Sequence, residues 1–340
     1  MATIYDVARA AGVSPKTVSR VLNSAGLVSQ ATRGAVEAAI RDLGYVPSTA
    51  ARSMRGGRSG LVGLLTGAIS VETDDPERTG LPEIQIVQGI QEALREAGYT
   101  LLIADTGGRV DGATDLMRTF AEHRVEGLIH VAPHHQRVPD LPAGPPTVIA
   151  NGFDAVGTAS VVPDDYIGQR ALTDRLIAEG HRRIAYLTLR AELVATQERT
   201  RGYLDALTDA GIAFAPALVR QADMDAPDSR ERMAVALDAL LALEPRPTVI
   251  CAGNDCLALQ LYGMLRARGL RIPQDMSIAG YDDHRLISET LYPGLTTVRL
   301  PYRRMGRAAA QLFLEGAPQG PPVRVAGELR WRGSVAAYQT

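Results

Sequence analysis

The amino-terminal segment carries the pattern that most constrains how this chain folds. Thr3 can cap a first helix, with Asp6 three residues later as its capping-box partner. Ser14 can cap a second helix, and Pro15 then stands at the first helical position, where its missing N–H costs nothing. Gly12 lies in the turn that joins the two helices. This arrangement predicts a helix-turn-helix, the motif whose second helix enters the DNA major groove.

The apolar residues of this segment have helical spacing. They are Ile4, Val7, Ala8 and Ala11 in the first helix and Val18, Val21 and Leu22 in the second. Ser29 can cap a third helix that runs through Leu43. The outer face of the second helix keeps the polar residues Lys16, Thr17, Ser19 and Arg20, and Lys16 is the only lysine in the chain.

Charge is divided unevenly along the 340 residues. Residues 1–58 hold eight basic and three acidic side chains, whereas the remainder holds 28 basic and 35 acidic ones. A basic head attracts phosphates, and an acidic body limits unspecific binding of the whole molecule. Pattern alone leaves a second interpretation open, because a small helical bundle with a solvated basic face would have the same caps and spacing.

The identity of particular residues extends this interpretation. The relevant runs are Asp6-Val7-Ala8, Ala11-Gly12-Val13-Ser14, Thr17-Val18-Ser19-Arg20-Val21-Leu22-Asn23, Gly44-Tyr45-Val46-Pro47 and Ala50-Ala51-Arg52-Ser53. Over residues 3–55 the chain closely resembles the LacI/GalR family of bacterial transcriptional regulators, and a weaker similarity continues to about residue 335.

The resemblance implies contacts with double-stranded operator DNA. Base-edge contacts fall on Pro15, Lys16 and Arg20, and phosphate contacts on Ser14, Thr17, Asn23, Ser29 and Thr32. Residues 48–55 correspond to a hinge helix that folds on the operator and enters the minor groove. The implied contact set is completed by Thr3, Tyr45, Ala51, Arg52, Met54 and Arg55, with Met54 where the family usually wedges a leucine into the central base step.

Beyond the glycine-rich linker 56–60, short apolar runs alternate with helical patterns. Predicted strands cover 61–65, 100–104, 127–131, 147–150, 184–187, 248–252 and 276–279. Predicted helices cover 84–97, 113–123, 167–179, 199–210, 230–243 and 256–268. This alternation predicts an α/β fold with parallel sheets and helices on both faces.

The resemblance adds two doubly wound, periplasmic-binding-protein-like subdomains joined by three crossovers. The expected division is a head at 1–46, a hinge and linker at 47–60, and an effector-binding and dimerisation domain at 61–340. Within that domain, the first subdomain covers 61–161 with 294–321, and the second 162–293 with 322–340. The crossovers are expected near 161–163, 290–295 and 320–325.

Arg199 and Asp255 are the predicted effector contacts. Each lies near a strand end, where parallel α/β sheets bind ligands, and together they could hold the hydroxyl groups of a sugar. The family resemblance places effector contacts at these two positions. Without it, a surface salt bridge for Arg199 and an N-cap of helix 256–268 for Asp255 are the more ordinary interpretations.

Two segments depart from the family pattern. Residues 67–82 are acidic and contain no aromatic residue, and 222–224 read Ala-Asp-Met where relatives often place an aromatic residue on the ligand. A solvated loop explains the acidic segment in ordinary terms. The missing stacking residues argue against a purine effector.

Other classes of function find little support. Cys251 and Cys256 are too few for a disulfide framework or a zinc site, and His130, His134 and His135 lack a completing ligand pattern, so we expect no metal and no cofactor. No catalytic arrangement, signal peptide or membrane-spanning run is evident, which indicates a cytoplasmic protein that is not an enzyme. The chain lacks a leucine-rich heptad tail, so a homodimer is expected.

Three functions remain open. The first is a repressor of a carbohydrate-utilisation operon, released by a small sugar-like effector in the cleft. The second is a regulator controlled by a protein corepressor. The third is a sugar-binding or enzymatic α/β protein, which would have no need for the DNA-folding segment at residues 47–55.

Overall fold

A computed structural model describes residues 2–22, 28–45, 58–67, 84–106, 112–141, 144–222 and 228–338. The chain divides into two compact units, Met1–Gly60 and Leu61–Thr340. The predicted hinge helix and the acidic segment fall almost wholly outside the described residues.

The first unit contains three helices in the described residues: α1 (Ile4–Ala10), α2 (Pro15–Leu22) and α3 (Gln30–Asp42). Thr3 and Asp6 form the predicted capping box of α1, and Ser29 caps α3. Gly12 has a φ of +63°, which a side chain would disfavour, so the turn between α1 and α2 requires glycine. The helices bury a small core of Val7, Ala8, Val18, Val21, Val36 and Ala39.

In the residues that the structure describes, the second unit contains two six-stranded sheets. The first sheet has the order β11-β5-β4-β3-β1-β2, and its paired strands are parallel. Its strands are β1 (Leu61–Thr66), β2 (Thr100–Asp105), β3 (Leu128–Arg137), β4 (Thr147–Phe153), β5 (Ser160–Pro163) and β11 (Val323–Val325). Its helices are α4 (Ile84–Glu96), α5 (Gly112–Glu122) and α11 (Tyr302–Glu315).

The second sheet has the order β12-β10-β9-β8-β6-β7, with one antiparallel pair between β10 and β12. Its strands are β6 (Ile184–Thr188), β7 (Val219–Gln221), β8 (Val249–Ala252), β9 (Ser277–Asp282), β10 (Thr296–Arg299) and β12 (Glu328–Arg330). Its helices are α6 (Asp165–Ala178), α7 (Val194–Asp209), α8 (Ser229–Leu241), α9 (Asp255–Ala267) and α10 (Arg285–Ser288).

Helices cover both faces of each sheet, as the continuous apolar strands require. Val62 and Leu64 of β1 pack in the large core with α4 and α11, while Leu65 packs in the opposite core with α5. In the second sheet, Tyr186 of β6 faces α6 and α7, and Leu187 faces α8 and α9. The predicted α/β class with parallel sheets is confirmed.

Two predicted subdomain limits are wrong. The expected division places β10 in the first subdomain, but β10 pairs with β9 in the second sheet, so the chain crosses between Arg299 and Tyr302. It places β11 in the second subdomain, but β11 pairs with β5 in the first sheet, so the last crossover lies between Val325 and Glu328. These strands have only three or four residues, too few for a periodic signal.

Candidate functional site

The polar face of α2 lies opposite its buried face. Val18 and Val21 are buried in the core of the head, whereas Lys16 and Arg20 are exposed. Residues four apart share one face of a helix, so the two cations project together. Arg and Lys side chains can both bond guanine O6 and N7 in the major groove.

Hydroxyl pairs stand at the N-termini of α2 and α3. The hydroxyls of Ser14 and Thr17 share a hydrogen bond of 2.9 Å, and the Thr17 N–H donates to Ser14 Oγ at 3.1 Å. Ser29 and Thr32 repeat this arrangement at 2.8 and 3.2 Å. Helix N-termini bind phosphates through free N–H groups and the helix dipole, so both ends suit backbone contacts.

The remaining DNA contacts stay predictions. The Thr3 hydroxyl is already engaged, since it donates to Asp6 Oδ2 at 2.7 Å, and the same contact holds the pKa of Asp6 below its usual range. Pro15 opens α2, and Tyr45 packs on the edge of the head core. Asn23, Ala51, Arg52, Met54 and Arg55 lie outside the described residues.

Tyr5 is a further candidate for DNA contact that the sequence analysis does not single out. Its side chain lies on α1 and is 68% exposed. The signal was present, because Tyr5 falls outside the apolar spacing of Ile4, Val7 and Ala8. An aromatic ring with a hydroxyl on the head surface is a further candidate for contact with a DNA backbone.

Arg199 is buried on α7 and held on three sides. Its Nε donates to Asp165 Oδ1 at 2.7 Å, and its Nη1 donates to the Gly253 carbonyl at 2.7 Å. Its guanidinium lies 3.7 Å from the centre of the Tyr281 ring. The ordinary interpretation of Arg199 as half of a surface salt bridge is wrong, because the residue is only 4% exposed.

The geometry around Arg199 follows from the start of its helix. α7 begins at Val194, five residues before the predicted start. The sequence does not reveal this start, because the N-cap residue Leu193 makes no side-chain hydrogen bond to the helix.

Burial alone would raise the pKa of Asp165, but the charge of Arg199 and the hydrogen bond from His135 hold that pKa below its usual range. Asp165 and Arg199 therefore form a charged, buried pair.

The carboxylate of Asp282 lies beside Nη2 of Arg199, the guanidinium nitrogen not used in the two hydrogen bonds above. Asp282 Oδ1 lies 3.9 Å from Arg199 Nη2, and the Asp282 side chain is 18% exposed. Its φ is +116°, a conformation that costs a non-glycine residue energy and is typical of functional sites. The residue ends β9, next to the end of β8, where a parallel sheet binds ligands.

Asp255 has a different environment from the one predicted. The N-cap of α9 is Asn254, whose Oδ1 accepts from the Leu257 N–H at 2.9 Å, so the N-cap interpretation of Asp255 is wrong. Asp255 is fully buried, and its oxygens accept from the Thr297 hydroxyl and the His284 N–H, both at 2.7 Å. One Asp255 oxygen thus holds the loop after β9 at His284, and the other holds Thr297 of β10. Contact of Asp255 with an effector stays a prediction.

Asp283 fastens the same loop to neighbouring strands. It accepts from Ser288, Arg299 and Arg332 at 2.7 to 2.8 Å. Burial alone would raise the pKa of Asp283, but these donors hold it below its usual range. Asp255 and Asp283 therefore fix the backbone that directly follows the strained Asp282.

The three histidines lie on β3 but do not converge. Burial lowers the pKa of His130 to about 4, while His135 Nδ1 lies 2.7 Å from Asp165 Oδ2. Among the residues that the structure describes, no group of three His, Cys, Asp or Glu side chains could hold a metal ion. Within those same residues, every helix is too short or too polar to cross a membrane.

Comparison with known proteins supports this two-part organisation. Residues 3–48 match the model for bacterial regulatory proteins of the lacI family, and residues 173–335 match the periplasmic binding protein-like domain. The HTH-type transcriptional repressor PurR of Vibrio atlanticus (strain LGP32) is 33% identical over 320 residues, covering 93% of this chain and 92% of the relative.

Solved structures give the same result. The transcriptional regulator CelR–cellobiose complex is 33% identical with a TM-score of 0.65, covering 98% of this chain and 100% of that chain. The lac repressor dimer bound to operator and the anti-inducer ONPF is 28% identical with a TM-score of 0.79, covering 99% of each chain.

These similarities span the head and the two-sheet body together, so the resemblance seen in residues 3–55 is confirmed. The PurR relatives are HTH-type transcriptional repressors. The chain belongs to the lacI family of bacterial regulatory proteins and is a DNA-binding transcriptional repressor.

Proposed function

We propose that this repressor binds a two-fold symmetric operator as a homodimer and releases it when a small polyhydroxylated molecule, such as a sugar, binds beside Arg199 and Asp282. The carrying observation is the fixed guanidinium of Arg199, whose remaining edge faces the Asp282 carboxylate at 3.9 Å. The dimer is supported by the similarity to the lac repressor dimer bound to operator. Two-fold protein symmetry calls for a palindromic site.

The chemistry of the pair suits hydroxyl groups. The separation exceeds a hydrogen bond, so a hydroxyl placed beside the pair can accept from Arg199 and donate to Asp282 at once. Such charge-assisted hydrogen bonds fix the orientation of the ligand in a largely preformed site. The CelR–cellobiose complex, at 33% identity, supports a carbohydrate ligand.

A purine base is the second candidate. It is favoured by the curated relatives, which are named PurR repressors and match along 93% of the chain. Residues 67–82 and 222–224, where aromatic residues that could stack on a purine are missing, lie largely outside the described residues. The described part of these segments therefore gives no structural reason to prefer a sugar.

Release of the operator requires that the effector bind two arrangements of the protein with unequal affinity. An effector can lower operator occupancy only if it binds one arrangement of the two sheets better than another. A difference of about 1–3 kcal/mol corresponds to roughly 5- to 150-fold in operator affinity.

The test begins with selection of operator DNA from a random pool by the purified protein. Labelled operator is then titrated with protein in the presence of cellobiose, and separately of hypoxanthine. Release by cellobiose supports the sugar proposal, and release by hypoxanthine alone replaces it with the purine. If neither compound acts but a purified cytosolic protein changes operator affinity, the corepressor alternative is correct.

A further inference from the structure

Two consecutive residues of α7, Glu198 and Arg199, are each linked to the first sheet although their helix packs on the second. Arg199 is linked through Asp165 to His135 of β3. Glu198 is linked directly to Arg324 of β11. Helix α7, which carries the proposed effector contact Arg199, is thus linked at two points to the opposite sheet.

The first link is buried. The side chains of His135 and Asp165 are 3% and 0% exposed, and one Asp165 oxygen faces each partner at 2.7 Å. Because Arg199 keeps Asp165 ionised, the carboxylate only accepts, and His135 Nδ1 must donate. The ring of Phe153 lies edge-on to His135, with the ring centres 6.3 Å apart.

The second link is partly exposed. Arg324 Nη1 lies 3.2 Å from Glu198 Oε2, and their side chains are 45% and 16% exposed. Arg201 donates to the same Glu198 oxygen at 2.8 Å, but it lies on α7 itself. Arg201 and Arg324 therefore contact one carboxylate from the same helix and from the opposite sheet, respectively.

Both links lie beside crossovers of the chain. Asp165 follows the first crossover directly after β5, and Arg324 precedes the last one in β11. The Asp164 N–H donates to the Val325 carbonyl at 2.9 Å, which joins these two crossovers to each other. A movement of one sheet relative to the other must therefore strain or break the two links.

We propose that His135 and Arg324 are positioning residues that act from the first sheet, through Asp165 and Glu198, to hold α7 and its Arg199 in one arrangement of the two sheets. This proposal rests on the proposed function only in giving Arg199 an effector to bind. The links themselves do not depend on the identity of that effector. They set how readily the sheets move, and hence how an effector at Arg199 is coupled to the first sheet.

Amide hydrogen exchange of the full chain, without ligand, tests the links. His135→Leu removes the donor, whereas His135→Asn keeps a donor at the position of Nδ1. Arg324→Gln removes the exposed link, and Arg201→Gln is its matched control. We expect His135→Leu and Arg324→Gln to speed exchange at the amides of residues 164–165, 299–300, 302 and 325–328 by about fivefold or more, because exchange there reports local opening.

The controls separate positioning from simple destabilisation. His135→Asn and Arg201→Gln should exchange like the wild type, and strands β1 and β8 should be unchanged in all four variants. If His135→Leu fails to fold, Arg324→Gln decides the outcome, because its side chain is half exposed. The proposal is overturned if Arg324→Gln exchanges like Arg201→Gln, or if His135→Asn behaves like His135→Leu. Failure of cellobiose or hypoxanthine to release operator leaves this test intact.

Discussion

Asp282 Oδ1 lies 3.9 Å from Arg199 Nη2, and the Arg199 side chain is the more deeply buried of the two. Arg199 also neutralises the buried Asp165, so its removal would leave a buried charge unpaired at a cost of about 3–5 kcal/mol. The Asp282 side chain is 18% exposed, and its substitution leaves the buried Asp165–Arg199 pair in place. Substitution of Asp282 is therefore the cleaner probe of effector binding.

We expect Asp282→Asn to abolish release of operator by the effector and to leave operator affinity within about twofold of wild type, because the head is untouched. The measurement is an operator titration with and without the effector. Asp275→Asn is the matched control, since Asp275 precedes the same strand at its other end and pairs with the exposed Arg271. Release of Asp282→Asn at wild-type effector concentration would show that the carboxylate is not a ligand contact.

Asp255 should make stability depend on pH. Burial raises the pKa of Asp255 to about 7, despite its hydrogen bonds from Thr297 and His284. The folded protein therefore holds a proton that the unfolded chain releases near pH 4, and stability from this group is lost as pH rises through about 7. Between pH 5 and 8 we expect a loss of roughly 2–3 kcal/mol.

Urea unfolding at pH 5, 6, 7 and 8 measures this loss. Asp255→Asn has no titrating proton, so its stability should fall less than that of the wild type over this range. A parallel pH dependence in the two proteins would show that Asp255 is ionised throughout.

Much of the head could be predicted from sequence because its determinants are local. Thr3 and Ser29 cap the helices that they precede, and Gly12 occupies a backbone conformation that favours glycine. Strand and helix alternation in the body was equally visible. The short strands β10 and β11 were misassigned because their sheet depends on pairing with distant residues.

The residues around Arg199 in the proposed effector site could be predicted only in part, for a related reason. Asn254-Asp255 and Asp282-Asp283 both follow buried strands, so sequence offers four polar residues at neighbouring strand ends. Which of them faces Arg199 depends on how the loops fold. Asn254 caps α9, Asp255 and Asp283 hold the backbone, and Asp282 is left beside Arg199.

Helices α4 and α11 cross at a point where each helix places a glycine against the backbone of the other. A Cβ atom at Gly306 would lie 2.1 Å from the Ile86 carbonyl oxygen, and one at Gly89 would lie 2.1 Å from the Arg303 carbonyl oxygen. We expect Gly306→Ala to destabilise the protein by about 1–3 kcal/mol, because backbone atoms must move apart. Gly263 on α9 has open space around it, so Gly263→Ala should stabilise by about 0.4–1 kcal/mol. Chemical denaturation of both variants makes the comparison, and equal effects would exclude close packing as the cause.

Arg20 and Arg33 should affect DNA binding in different ways. Arg20 is exposed on α2 on the same face as Lys16, whereas Arg33 lies in the first turns of α3 near the Ser29 cap. We expect Arg20→Ala to weaken specific binding by about 1–3 kcal/mol and to relax preference at one base in each half-site. Arg33→Ala should weaken binding to operator and to random DNA alike and reduce the salt dependence of binding, because a phosphate contact carries no sequence information.

Titrations of operator and random duplexes at several salt concentrations separate the two effects. If Arg20→Ala lowered both affinities equally, Arg20 would be a backbone contact, and direct readout by α2 would fall to Lys16.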